Sequence, residues 1–221
     1  QHAHSHLAAS GTRKPIEDIT GEFIRLLHQQ NLSDADLALY SKRGIEALEA
    51  FLTAKYDTFA PSQKPELSFA GQGVVLGQAR LTGSLDLVDI DNQTITVTDY
   101  KTGKPSTSWT GKSDYEKIKL HKYRQQLMFY ELLCANSRDY AKYDFGGAVL
   151  QFVEPDSRGD IYQLDDRFSH DELADFQRLI AAVWRCITTL ELPDISNYQA
   201  SYQGMIQFEK DLISSEYPAR E

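Results

Sequence analysis

Asp86, Asp99 and Lys101 define the chemistry to look for. Asp86 closes the G-x-x-D of Gly83 to Asp86, and Asp99 and Lys101 stand two apart in T-D-Y-K-T-G-K, residues 98–104. Residues two apart on a strand point to the same face, so Asp99 and Lys101 share one. A hairpin pairing the two segments brings Asp86 beside Asp99. Two carboxylates converging on one point repel, and one pKa rises unless a cation or Lys101 offsets the charge. A hard divalent cation such as Mg2+ suits such a pair, because it takes oxygen ligands. A lysine on the same face can orient a water nucleophile or stabilise charge developing on a phosphate. These are the requirements of metal-assisted phosphodiester hydrolysis. The alternative is a solvated pair of hairpin charges. Downstream, Gln126 and Tyr130 are spaced i, i+4 on an expected helix and share a face. Neither is a preferred metal ligand, but both can hydrogen-bond a phosphate or the attacking water. Gln126 equally suits a helix surface, and Tyr130 a core stripe.

The elements that must position these groups are readable. Residues 66–100 form a glycine-punctuated β-rich stretch, with Asp91-Asn92-Gln93 as the turn of an antiparallel hairpin. After the polar loop G-K-P-S-T-S-W-T-G-K-S-D, periodicity predicts a helix over about 115–135, with Leu120, Tyr123, Leu127, Tyr130 and Leu133 or Cys134 as its apolar stripe. Residues 145–155 read as a strand and 161–165 as a short partner. Ser169 with Glu172 forms a capping box opening a second long helix, whose expected buried stripe is Leu173, Phe176, Ile180, Val183, Trp184 and Ile187. Upstream, residues 16–57 are helical, with Ser33 as an N-cap, and Pro61 and Pro65 end that block. The tail from 194 is mixed. This succession predicts an α/β sheet with helices packed on it.

Composition narrows the options. The 221 residues carry 23 Lys and Arg against 32 Asp and Glu, a formal net charge of −9, with 41% hydrophobic residues, as expected of a globular chain of one large domain or two small ones. No run of eighteen apolar residues suggests a membrane span, and the opening residues lack the apolar region of a signal peptide. The two cysteines, Cys134 and Cys186, lie far apart in apolar helical contexts. They read as buried free thiols in a reducing cytoplasm, and exclude a zinc or iron–sulfur site built from cysteine. The G71-Q-G73 pair lacks the rest of a dinucleotide fingerprint, and G-K-P-S-T lacks the upstream glycine of a Walker A loop. His28, His121 and His170 read as surface residues.

The pattern resembles the RecB-type branch of the PD-(D/E)XK nuclease superfamily, which includes the nuclease domains of UvrD/Rep-like helicases and of the RecB, AddA and AddB proteins. The motifs carrying the resemblance are Gly83 to Asp86, the D-Y-K-T-G-K of Asp99 to Lys104, the Q-x-x-x-Y of Gln126 to Tyr130, and Glu66 in K-P-E-L-S-F as the upstream glutamate. The resemblance implies a restriction-endonuclease-like core, a central mixed β-sheet flanked by helices with an N-terminal helical region. The chain would be a single nuclease domain, with a helical part over 1–60, a catalytic α/β core over 64–190 and a tail over 191–221. Asp86, Asp99 and the Tyr100 carbonyl would bind Mg2+ or Mn2+, Lys101 would be the catalytic lysine, and Glu66 would assist near the metal. Gln126 and Tyr130 would shape the site and touch DNA. The expected function is a metal-dependent exodeoxyribonuclease at the C-terminus of a bacterial, cytoplasmic helicase–nuclease for DNA repair or recombination. It would act on single-stranded ends, and ATP would be used only by a motor outside this chain. The alternatives are a catalytically silent DNA-binding or subunit-docking domain of the same fold, and RNA as substrate.

Two departures bear on this expectation. Family members carry a G-T-x-x-H helix whose histidine completes the metal shell, and that motif is not found. The chain opens at Q-H-A-H-S-H-L as if inside a helix. The expectation is a domain cut just after that motif, with His2, His4 and His6 as downstream helix residues rather than the ligand. Members with an iron–sulfur staple carry four cysteines, so no cluster is expected.

The charge also resolves locally. From Lys101 to Arg124, seven basic residues face only Asp114 and Glu116, making that stretch +5 and leaving −14 for the rest of a chain totalling −9. Lys104, Lys112, Lys119, Lys122, Arg124 and Trp109 are the expected DNA contacts, since strand-binding surfaces combine cations with stacking aromatics. A solvated helix face is the competing reading. DNA binding by this domain is expected to be weak and salt-sensitive.

Overall fold

The computed structural model describes residues 1–214. The part of the tail beyond 214 lies outside the described residues. In chain order the elements are α1 (His2–Ser10), α2 (Ile16–Leu27), α3 (Asp34–Lys55), a 3-10 turn (Tyr56–Thr58), β1 (Lys64–Ser68), β2 (Val75–Leu76), β3 (Ala79–Arg80), β4 (Ser84–Asp91), β5 (Thr94–Lys101), α4 (Asp114–Ala135), β6 (Asp144–Phe152), β7 (Gln163–Asp166), α5 (His170–Thr189) and α6 (Tyr202–Ser214). Two compact units interleave along the chain. The first comprises residues 1–67, 84–107 and 146–165, and the second residues 68–83, 108–145 and 166 onward.

The first unit carries a five-stranded sheet in the order β1-β4-β5-β6-β7. Its centre is the expected hairpin. β4 and β5 run antiparallel from Asp91↔Thr94 to Leu87↔Thr98. The reversal falls at Asn92 and Gln93, with Asn92 at φ 53°, a left-handed conformation that asparagine tolerates. Ile95, Val97 and Asp99 are all buried. They lie at period two, so Asp99 ends an apolar stripe rather than facing water. β6 reaches β5 at Gly146, where a Cβ would sit 2.4 Å from Thr94 Cγ2, so only glycine admits this approach. Pro65, expected to end a helical block, instead lies in β1. That strand is at the sheet edge, where a missing N–H is tolerated.

The N-terminal helices cover the sheet around Tyr100. Ala3, Leu7, Phe51, Leu52, Tyr56 and Phe59 form one buried cluster, with Ile16, Ile19, Tyr100, Val153 and Ile161 packed against it. Each large apolar side chain so buried contributes about 1.5–3 kcal/mol. Ser33 caps α3 by accepting the Asp36 N–H, as its sequence context predicts.

The second unit holds α4, α5, α6 and the antiparallel β2–β3 hairpin. Ser113 with Glu116 and Ser169 with Glu172 make capping boxes at the starts of α4 and α5. On α4, Leu120, Leu127, Tyr130, Leu133 and Cys134 are buried as expected. On α5 the buried line differs from the expected one. Leu179, Ala182 and Cys186 pack with Phe208 and Leu212 of α6, whereas Val183 and Ile187 are 41% and 57% exposed. Val183 and Ile187 each follow a buried residue by one position, about 100° further round the helix, so a small rotation takes them off the seam. Both cysteines are free and buried. Among the described residues no helix is long and apolar enough to cross a membrane.

Glu131 of α4 provides a test of burial in this unit. Desolvation pushes its carboxyl up to about 7, from an ordinary 4.5. Between about pH 4.5 and 7 the folded chain therefore holds a proton that the unfolded chain releases, and stability falls as pH rises through that window. Glu131→Gln removes the penalty. The variant should match the wild type near pH 4.5 and exceed it by about 1–2 kcal/mol at pH 8, allowing for partial exposure. Urea melts at the two pH values measure this, and an equal gain at both would contradict it.

Candidate active site

Asp99 and Lys101 share a face of β5, and the geometry joins them. Asp99 is 1% exposed, and its Oδ2 lies 2.7 Å from Lys101 Nζ. An unpaired carboxylate at that depth would cost several kcal/mol, so the ammonium beside it is what permits the charge. The backbone of Lys101 is fixed by the residue just after β6, since its carbonyl accepts the Val153 N–H at 2.9 Å. Two residues on, the Gly103 N–H donates to Glu154 Oε1 at 2.5 Å. Arg43 of α3 grips the same Glu154 carboxylate in a fork, with contacts of 2.7–3.0 Å. Glu154 thus clamps the loop leaving the lysine.

Asp86 meets β5 from the neighbouring strand. The regular pairing ends at Leu87↔Thr98, and beyond it the Tyr100 N–H donates to Asp86 Oδ2 at 2.9 Å. Both carboxylates therefore flank the backbone of Tyr100, one bonded to its amide and the other carried by the residue before it. Glu66 sits in β1 with φ 52°, unusual for a residue with a Cβ and a feature of bulges that redirect a side chain. Glu66, Asp86, Tyr100 and Thr102 line a cavity of about 440 Å3.

His4 lines the same cavity. Its ring stacks on Phe59 at 3.7 Å between centroids, and its Nε2 lies 3.0 Å from the Tyr100 hydroxyl. Burial drives its pKa down to about 4, so the imidazole is neutral at physiological pH. Its Nδ1 is buried, without a close hydrogen-bond partner among the described residues, and the Gln63 side chain interacts with the ring. Burial, and then the nearby Asp86, raise the Tyr100 phenol above its ordinary value, so it stays protonated. The sequence places His4 with His2 and His6 as helix residues downstream of the missing motif, and the structure puts it in α1 and buries it. The clue to its place was the i, i+3 spacing of His4 and Leu7, since both are buried on one face of α1.

The other expected residues divide by location. In the second unit the Gln126 amide donates to the Tyr130 hydroxyl at 2.6 Å, and Tyr130 is buried in the α4 stripe, as the core reading of that tyrosine has it. Lys104, Lys112 and Lys122 are exposed and Trp109 is half-buried. Lys119 lies over the Tyr123 ring. Arg124 is held by Asp166 at 2.6 Å and Glu172 at 2.8 Å, so its charge is already matched within the chain.

The residues were tested against a divalent cation by their donor chemistry. Among the described residues no three His, Cys, Asp or Glu side chains converge as a ready ligand cage. Mg2+ does not require one, since it binds through one or two carboxylates and keeps several waters. Asp86, Asp99 and the Tyr100 carbonyl supply hard oxygen donors of that kind, so the set fits by donor chemistry, although Asp86 and Tyr100 line the cavity while Asp99 and Lys101 are not among its lining residues.

Comparison with known proteins identifies the group to which the chain belongs. The family model of the PD-(D/E)XK nuclease superfamily matches residues 3–201. The chain belongs to the PD-(D/E)XK nuclease superfamily. Membership accounts for the mixed five-stranded sheet flanked by helices, the restriction-endonuclease-like fold, and it implies nuclease activity and nucleic-acid binding in general. The curated proteins include no match to this PD-(D/E)XK chain. Among solved structures, one described as the crystal structure of SSO0001 aligns over 87% of this chain and 96% of that one, at 13% identity and a TM-score of 0.37.

Proposed function

We propose that this PD-(D/E)XK domain is a Mg2+- or Mn2+-dependent deoxyribonuclease that removes nucleotides from single-stranded DNA ends, as the nuclease part of a helicase–nuclease acting in DNA repair or recombination. The observation that carries the reading is the buried Asp99, paired with Lys101 at the end of β5 and next to the Tyr100 amide that Asp86 grips. The RecB-type motifs of residues 83–130 support the helicase connection, with ATP used only by the motor. A divalent cation held by Asp86, Asp99 and the Tyr100 carbonyl would supply Lewis-acid charge and acidify a bound water.

The chain's own residues do the rest. Lys101 presents a fixed ammonium to the attacking water and to the charge growing on the phosphate, and in-line attack inverts the phosphorus. Glu154 and Arg43 hold the 102–103 turn so that the ammonium does not drift. Glu66 accepts a proton or hydrogen bond from water at the cavity rim. Neutral His4 offers a lone pair without first losing a proton.

A second reading, a silent DNA-binding or docking domain of this fold, draws on one observation: no three-ligand cage is preformed among the described residues. End-labelled single-stranded DNA separates the two. Cutting is expected with Mg2+ or Mn2+ and none with EDTA. Binding without cutting under every metal condition would favour the silent domain.

A further inference from the structure

A second cavity, of about 500 Å3, lies within the second unit and shares no residue with the acidic site. It is lined by Trp109, Lys117, His121, Arg124, Asp166 and Tyr202, over a floor that includes the buried Leu120. Its volume falls in the range of sites for small ligands, about 300–1,000 Å3.

The walls are built, not loose. Gly111 leaves no room for a side chain, since a Cβ there would lie 2.5 Å from the Lys117 nitrogen. The loop before α4 is therefore pressed onto the first turn of that helix. Glu116 holds the same loop by accepting the N–H groups of Lys112 at 2.8 Å and Ser113 at 3.2 Å. The Tyr202 N–H donates to Asp114 at 3.3 Å, and its ring meets the His121 ring edge-on at 6.1 Å. His121, which reads as a surface residue in the sequence, is tied to Glu209 at 2.9 Å, and Gln125 holds the other oxygen of that carboxylate at 3.0 Å.

The lining selects a ligand class. Trp109 and Tyr202 bring two broad π surfaces, which an inorganic anion does not use. Arg124 and His121 are each matched by a carboxylate within 2.6–2.9 Å, so the cavity is not a general polyanion trap. Lys117 keeps 41% of its side chain exposed, and its nearest carboxylate, on Asp114, is 4.0 Å away. One cation at the rim suits one phosphate. Aromatic faces suit a base, and the Asp166 carboxylate can accept from a base N–H such as thymine N3–H.

We infer that this cavity binds one unpaired nucleotide of a single strand, with its base against Trp109 and Tyr202 and its phosphate at Lys117. The inference rests on the reading of the chain as acting on nucleic acid, but not on its cutting activity.

The test is binding of fluorescein-labelled dT12 to the full chain in EDTA, followed by anisotropy, with a blunt 12-base-pair duplex as the second probe. Trp109→Ala and Tyr202→Leu should each weaken dT12 binding roughly 5- to 100-fold, the range of base–aromatic stacking. Duplex binding should change less than about twofold. Lys117→Gln should reduce the salt dependence on dT12 by about 0.7 in log–log slope. In a Trp184→Phe background, dT12 should quench the remaining Trp109 fluorescence, a readout that needs no disruptive variant. Unchanged dT12 affinity in the aromatic variants, equal losses on duplex, or no quenching would each overturn the proposal. Asp99→Asn, expected to stop cutting, should leave dT12 affinity intact. Failure of the nuclease reading is thus seen separately from failure of this site.

Discussion

Asp99→Asn is expected to lower metal-dependent cleavage of single-stranded DNA at least about a thousandfold, equivalent to about 4 kcal/mol of lost transition-state stabilisation. The amide keeps the volume and removes the charge. One of two carboxylates flanking Tyr100 is lost, and Lys101 loses the anion that lies 2.7 Å from its Nζ. In EDTA the stability change should be smaller, about 1–3 kcal/mol destabilising. Removing a buried carboxylate relieves a desolvation cost, which partly offsets the loss of the ion pair to a lysine only 17% exposed. Thermal melts against Mg2+ give a readout independent of cutting. Wild-type stability should climb with the logarithm of metal above the dissociation constant, by about 2.7 kcal/mol at a hundredfold excess. The variant's melting temperature should stay flat. A variant that cuts normally, or that gains the full Mg2+ stabilisation, would remove Asp99 from the site.

Why Asp99 was legible and other residues were not follows from the range of their contacts. Its position rests on local periodicity: Ile95, Val97, Asp99 and Lys101 alternate along one strand, and the Asn92 turn sets that strand against β4. Each inference spans only a few residues. The capping box at Ser169 is equally local, and α5 starts where it predicts. The rotation of α5 is not local. Its apolar band is wider than one seam, and Phe208 and Leu212 of α6 choose which strip is covered. Those partners lie in a segment whose own pattern is weak. Glu154 is hidden for the same reason, because the arginine that completes its clamp is 111 residues away in sequence. Glu66 is singled out in the sequence by its distance from the other motifs, but its positive φ leaves no trace in residue type, since glutamate carries no preference for that backbone.

The N-terminal helix shows the same limit. Its three histidines alternate, at 2, 4 and 6, and nothing in that spacing ranks them. What distinguishes His4 from His2 and His6 is burial, at 2% exposure. That burial depends on Phe59 and on Tyr100, the latter 96 residues distant. Spacing to Leu7 alone marks a face of α1, but not what the face meets.

His4→Phe and Tyr100→Phe together decide what that histidine does. Both remove the 3.0 Å contact between His4 Nε2 and the Tyr100 hydroxyl, but only the first removes the imidazole. Phenylalanine at position 4 can keep the stack on Phe59 and fill the same space, so no large cavity opens. It leaves the Tyr100 hydroxyl without that partner, at a cost of about 1–3 kcal/mol. If His4 supplies a nitrogen to the metal shell, His4→Phe should weaken Mn2+ binding, followed by calorimetry, about 10- to 100-fold, the scale on which the partners of metal ligands act at the least. Cleavage should fall at least as far. Tyr100→Phe leaves the backbone carbonyl and the imidazole in place, and should change Mn2+ affinity by less than about threefold. Equal losses in the two variants would mean that His4 serves only to hold the tyrosine. Normal metal binding in both would make it a packing residue of α1, as its place beside Ala3 and Leu7 alone would suggest.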